Sequence, residues 1–507
     1  MTTPKAKKAA PKKKAVPKKR EEKEIIPSPE TVSVRMYCIG TGDCFILKFY
    51  DKKRVPFIIM IDCGSCRGDG NWFTPYVKNL EEYVENHIDL LIVTHEHEDH
   101  VNGFAKCADV FKGITFKEAW FAWTENPKDP GGAAEELQKK RTVMRTALQN
   151  AIKEIKKRGV TLETSLANNV FKNELLSAHH SFVTGLDSLA EINLNVAEGK
   201  GNSLAGMSEI KEILKKGKTK IRYLKPGETV AVKGMPDVKF HVLGPPMDRE
   251  YIFKDGKEGT DVYKRNSALN ESILAANAFN YLATGKPEPG DMPFTSEYLI
   301  GINPNADEQA IMNRYTTVEC WRKIDDEWLQ SAGSLALRLN SHINNTSLAL
   351  AIESVESGRV LLFPGDAEYG SWESWHLIEN WKKKGSNGKH LVEDLLNRTA
   401  FYKVAHHLSY NGTALQKGIN MMPSDNLVVM ATLDRDRISD GWKTTMPNDL
   451  LVQELIRKTG GRCFIMNEKE VDNAPSLTLD PESLDEYVVK KKEDGSGNLY
   501  KQYTLKF

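Results

Sequence analysis

At 507 residues, 40% hydrophobic and 27% charged, the chain has the balance of a globular protein, with room for one large domain with insertions or for about two to four ordinary ones. The formal net charge of +1 hides an asymmetry: residues 1–20 carry nine Lys or Arg and no acid, which leaves the remainder near −8. No apolar run approaches the ~20 residues that cross a bilayer, which excludes an ordinary membrane-spanning helix.

The chain starts MTTPKAKKAAPKKKAVPKKR, mainly Lys, Pro and Ala. Such a segment has too little apolar surface to bury, so a disordered basic tail is expected over 1–30. It lacks the apolar core of a secretory signal. Seven cysteines, odd in number and without framework spacing, fit reduced thiols, and a cytoplasmic protein is expected. Cys63 and Cys66 form one C-x-x-C, but no second pair completes a zinc site around it.

TVSVRMYCIG and CFILKFY read as paired strands around the turn GTGD, and VPFIIMIDCG as a third strand that ends at Asp62. WFTPYVKNLEEYVENH has helical spacing; IDLLIV is a fourth strand and FKEAWFAW a fifth. Strands and helices alternate to this point, as in a layered α/β domain. Residues 132–158 predict a long helix whose charged run is a solvated face, and helical text continues to about residue 216. β character returns over 221–246, and the mixed, polar stretch 247–330 reads as a second insertion. SLALRLNS, TSLALAIES and RVLLFPGD predict three more strands. LVVMATLD and RCFIMN predict another two, with the helix NDLLVQELIRKTG between them, and 481–507 predicts a hairpin around DGSGN.

The densest chemistry is THEHEDH, residues 94–100, directly after IDLLIV. Imidazole suits zinc, iron and manganese, and carboxylate suits harder ions, so His95, His97, Asp99 and His100 can serve two neighbouring metals. With only 12 histidines in the chain, an H-x-H-x-D-H is a poor candidate for chance. Four residues do not complete two sites. The remaining ligands must come from other strand ends, and RVLLFPGDAE presents Asp366 while FYKVAHHLSYNG presents His406 and His407.

These segments, with the upstream IDCG, resemble the metallo-β-lactamase-fold hydrolases in order and strand context as well as in letters. The resemblance covers residues 31–125 and about 335–475. GTGDCFILKF, NNTSLALAIESVESGRVLLFPGD and YKVAHHLSYNG look like the hydrolase domain of ComEC-type competence DNA-uptake proteins. The resemblance implies an α/β fold, a four-layer αββα sandwich over 31–480, with insertions at about 126–220 and 247–330. It implies two divalent ions, Zn or Mn. His95 and His97 would bind the first; Asp99, His100 and one histidine of AHH the second; Asp366 would bridge both. Asp62 would hold the ligand loop by hydrogen bonds. His406 is taken as the ligand because it leaves its strand first, and His407 as proton donor to the leaving group; the reverse assignment stays open.

Many members of that family have one more histidine where this chain has Asn344, Asn345 and Ser347, so the first metal is expected to be less fully held. Asp99, His407 and Asn345 are the catalytic candidates. HHLS stands where the uptake proteins have HHGS. The implied reaction is attack of an activated water on a phosphodiester, most naturally in DNA or RNA, and the basic tail suits a polyanion. A small substrate on the same site, such as a cyclic nucleotide, a phosphocholine ester or a lactone, is the alternative. So is a component of a multi-protein system that docks through the insertions. His179 and His180 in the first insertion are further candidates for reaching the site.

Overall fold

The computed structural model describes residues 29–51, 56–165, 204–264, 305–314, 338–423, 426–438, 446–467 and 486–507, with a few positions between them such as Leu186, Leu189 and Asn193. The basic tail over 1–28, most of the second insertion, and His179 and His180 lie outside the described residues.

Two mixed sheets carry the fold. The first has eight strands: β1 (Thr31–Tyr37), β2 (Phe45–Tyr50), β3 (Phe57–Ile61), β4 (His87–Val93), β5 (Thr115–Ala122), β6 (Lys220–Leu224), β14 (Glu486–Lys491) and β15 (Asn498–Lys506). Their spatial order is β14-β15-β1-β2-β3-β4-β5-β6, parallel from β3 to β6 and antiparallel elsewhere. The second has seven: β7 (Thr229–Val232), β8 (Met235–Val242), β9 (Leu350–Ser354), β10 (Val360–Phe363), β11 (Thr399–Lys403), β12 (Val428–Ala431) and β13 (Cys463–Ile465), in the order β13-β12-β11-β10-β9-β8-β7. Here β10 to β13 are parallel.

Alternation along β10 shows the layering. Leu361 and Phe363 join the core shared with the first sheet, where Phe363 meets Phe45 edge-on at 5.8 Å. Val360 and Leu362 join a second core with Trp372, Leu395 and Leu451 from helices Tyr369–Trp375, Leu391–Asn397 and Asp449–Thr459. The two sheets thus face each other and helices cover the outer side of the second. On the first sheet, helix Gly70–Val84 buries Phe73, Tyr76, Val77, Leu80 and Val84, the stripe its helical spacing predicts. Asp69 caps it by accepting from Trp72 N.

Both long excursions leave and rejoin between neighbouring strands. The first joins β5 to its parallel neighbour β6, and the second joins β8 to its antiparallel neighbour β9. The 33-residue helix Ala133–Ser165 opens the first. Two expectations change here. SLALRLNS alternates like a strand, yet residues 338–344 are helical. Ala336, Leu339 and Ile343 also follow helical spacing, and they pack with Ala147, Leu148 and Ala151 of the long helix; the tertiary partner decides between two admissible periods. The long helix is also not solvated all round, because Arg141 and Arg145 are buried. The C-terminal hairpin is present, and its strand β15 pairs with β1, so it extends the first sheet.

Candidate metal centre

The carboxyl ends of parallel strands converge where the two sheets meet: β3 and β4 from the first, β10, β11 and β12 from the second. This is where open α/β sheets place polar side chains without breaking strand pairing. After β4 come Thr94, His95 and His97, and Asp99 and His100 follow in the first turn of helix Glu98–Lys106. The loop lies tight against GTGD. A Cβ on Gly42, at φ +139°, would come within 2.4 Å of Asp99 O, so only glycine fits.

One group forms around Asp366. Its Oδ2 is 3.1 Å from His100 Nε2 and 3.0 Å from His407 Nε2, and His407 Nε2 is 3.3 Å from Asp99 Oδ2. Close as they are, Asp99 Oδ1, His100 Nε2 and His407 Nε2 are buried with no hydrogen-bond partner. Such orphans are costly unless something fills the gap. Donors about 2.0–2.1 Å from one tetrahedral zinc stand ~3.3 Å apart, close to the spacings here. Asp43, His100, Asp366 and His407 also offer ligand atoms within 4.8 Å of one another. Asp43 is the outer member of that set, because Thr432 Oγ1 donates to its Oδ1 at 2.7 Å and Lys403 Nζ lies 2.5 Å from its Oδ2.

The rings are aimed by their other nitrogens. His100 Nδ1 donates to Asp62 Oδ2 at 2.9 Å. Asp62 also accepts from Thr94 N at 2.8 Å and from Thr94 Oγ1 at 2.5 Å, so it ties the loop to β3. Thr432 gives its hydroxyl hydrogen to Asp43, which leaves its oxygens to accept from His407 Nδ1 at 2.9 and 3.0 Å. His100 and His407 therefore turn Nε2 toward Asp366.

The electrostatics call for positive charge. Burial alone would lower both imidazoles, but Asp366 and its neighbours hold His100 well above its usual value and lift His407 to about 9. Burial opposes ionisation of Asp99, yet His100 and His407 bring it down to about 2. Lys403, buried, is held above its usual value by Asp366 and Asp43 against the cost of burial.

His95 and His97 form a second pair. His95 Nε2 and His97 Nδ1 stand 3.1 Å apart, and burial brings His97 down to about 4. Among the described residues a third protein donor is not presented there. Ser347 Oγ is engaged with Asp366 N at 3.0 Å and lies 3.2 Å from His95 Nδ1. Asn345 does not reach the pair: its Nδ2 donates to Ile252 O and its Oδ1 accepts from Glu368 N, so it fastens β9 to the loop after β10.

The histidine after β11 that meets Asp366 and Asp99 is His407, which corrects the choice of His406. The reason is backbone geometry. His406, His407 and Leu408 all have positive φ, a left-handed turn that sends successive rings apart, with centroids 6.3 Å between His406 and His407. His406 faces outward to Ser409 Oγ at 2.8 Å, Glu368 Oε1 at 3.3 Å and Asn344 Nδ2 at 3.1 Å. Burial lowers it to about 4, and at 8% exposure it is the most accessible of these histidines.

Asp43, Lys403, Thr432 and Glu368 were absent from the expected set. A lone Lys in the apolar run FYKVA and the Asp closing GTGD were the signals available. Of the C-x-x-C, Cys63 is buried and Cys66 Sγ lies 3.7 Å from Asp99 Oδ2. No described helix is long and apolar enough to cross a membrane. Comparison with family models, curated proteins and solved structures returns no match, so geometry alone carries the functional reading.

Proposed function

We propose that this chain is a metal-dependent hydrolase with a metallo-β-lactamase-type sandwich, and that it cleaves phosphodiester bonds, most readily in single-stranded DNA or RNA. The observation that carries the reading is the pair of orphaned nitrogens, His100 Nε2 and His407 Nε2, aimed with Asp99 at the carboxylate of Asp366. Asp99, His100, Asp366 and His407 would hold one divalent ion, Zn or Mn, and His95 with His97 would contribute to a second. Divalent ions there would supply a water acidic enough to attack at neutral pH and would offset charge on the attacked phosphate.

The remaining roles belong to side chains. Lys403 bridges Asp43 Oδ2 and Asp366 Oδ1, and with His407 and His100 it holds the Asp366 carboxyl well below its usual value against the cost of burial. His406, with Glu368 beside its Nδ1, is the side chain left to move a proton near the departing oxygen. The burial of the ligand cluster favours a thin strand or a small diester over a duplex.

The test is a cleavage assay with metal-stripped protein reloaded with Mn²⁺ or Zn²⁺. Substrates are single-stranded DNA, duplex DNA, RNA and cyclic nucleotides, with Asp99→Ala and His407→Ala beside the wild type. Loss of cleavage by about 10²–10³-fold in both variants is expected. Hydrolysis confined to a cyclic nucleotide would keep the site and change the substrate. An ion-loaded protein that leaves every substrate intact would sink the proposal.

A further inference from the structure

Among the described residues of the first excursion, Asn193 reaches the His95/His97 pair. Asn193 is buried, and its Oδ1 lies 3.0 Å from His97 Nε2. Its Nδ2 is committed as a donor, to Leu189 O at 2.8 Å and Asn340 Oδ1 at 3.4 Å. The amide oxygen can only accept. His97 therefore carries its proton on Nε2, and Nδ1 is bare.

The partner ring obeys the same logic. Thr94 gives its one hydroxyl hydrogen to Asp62 Oδ2 at 2.5 Å, so its oxygen accepts from His95 Nδ1 at 3.0 Å. Ser347 Oγ, which accepts from Asp366 N, lies 3.2 Å from the same Nδ1 and is a second oxygen its N–H can reach; with the proton of His95 on Nδ1, Nε2 is bare. The two bare nitrogens are the ones 3.1 Å apart. Two lone pairs facing each other repel, and a shared cation turns that repulsion into coordination. Their spacing approaches the ~3.3 Å edge of a tetrahedral zinc site.

The excursion is also fastened to this loop by charge. Arg141 Nη1 and Arg145 Nη2 lie 2.7 and 2.8 Å from Glu96 Oε1, between the two histidines in sequence. Arg145 Nε donates to Asn193 O at 2.8 Å. The same arginine thus holds the backbone of Asn193 and the side chain of Glu96.

We propose that Asn193 is a positioning residue that fixes the His97 tautomer and so makes His95 and His97 a second cation-binding pair. This rests on the metal reading of the Asp366 group. It makes the first excursion part of the metal centre.

The experiment is metal content and affinity of the full chain with Mn²⁺ and Zn²⁺, by elemental analysis after gel filtration and by chelator competition. Wild type, Asn193→Leu, Asn193→Asp and His407→Ala are compared. Wild type is expected to hold two ions of unequal affinity. Asn193→Leu should weaken one of them by about 10–100-fold and leave the other, the ordinary cost of losing an outer hydrogen-bond partner. Asn193→Asp keeps an acceptor and should keep both ions. If Asn193→Leu does not fold, Asn193→Ala, which also removes the acceptor, takes its place, with the same loss of one ion expected. Two ions held equally by wild type and a folded Asn193→Leu would overturn the inference, and so would a single ion in wild type, without harm to the Asp366 reading. No ion in wild type would remove both.

Discussion

At the scale of single residues, the proposed function gives His406 and His407 different tasks. His407→Ala should lose an ion and activity together. His406→Ala should keep its metal content while turnover falls by about 10²–10⁴-fold, the usual worth of a proton-transfer group. Equal metal loss in the two variants would return both histidines to the ligand set. Lys403 offers a second test. It is buried between Asp43 and Asp366, so Lys403→Met removes the cation that bridges them and leaves two buried carboxylates with only the His100 and His407 imidazoles beside them. In chelator-treated protein this should cost about 3–5 kcal/mol in a denaturant titration. An unchanged midpoint would refute the bridging role of Lys403. The strand-end motifs were legible in the sequence because they are short and dense in ligand-type residues. The order of His406 and His407 was not. It depends on three consecutive left-handed residues, and Leu408, at φ +66°, is a residue type that ordinarily avoids that region. Lys403 and Asp43 were hidden because each is one polar residue in an apolar setting, and their meaning comes from being brought together across the two sheets.

At the scale of elements, strand identity was readable where one face alternates or a run is wholly apolar, as in IDLLIV and RVLLF. It failed at SLALRLNS, where leucines fit both periods and the long helix Ala133–Ser165 supplied the deciding surface. The same helix misled on charge, since Arg141 and Arg145 look like any solvated pair until Glu96 is placed against them. Between β8 and β9 the pairing is tied by charge at His241 and Glu353, 2.7 Å apart, with Arg398 2.8 Å from the same carboxylate. Burial would raise the Glu353 carboxyl, but His241 and Arg398 lower it below its ordinary 4.5. The sign follows. A depressed carboxyl stabilises the fold above its unfolded value and loses that contribution as pH falls through the folded value. Wild type should therefore lose thermal stability more steeply than Glu353→Gln below about pH 4.5. Parallel melting curves for the two proteins down to pH 3 would refute the assignment.

At the scale of the whole molecule, the first sheet brings the two ends of the described chain together. The first sheet runs from β2 through β1 to β15, and β1 has no other partner on that side. Val34 pairs with Tyr503, which in turn pairs with Tyr487. Tyr503→Pro removes a donor from this central strand, and a cost of about 3 kcal/mol or more is expected. Soluble yield and melting temperature should both fall; an unaltered melt would show that β15 is dispensable.

The pairing of β1 with β15 has a consequence for the order in which the protein is made. Ser33 bonds to Thr504, 471 positions later. Asp62, His95 to His100, Asp366 and His407 all emerge from the ribosome before β15 does. Each of these side chains thus exists while β1 still presents an open edge, the kind of edge that recruits other chains. During synthesis the nascent protein carries every residue of the Asp366 cluster on a sheet that is not yet sealed.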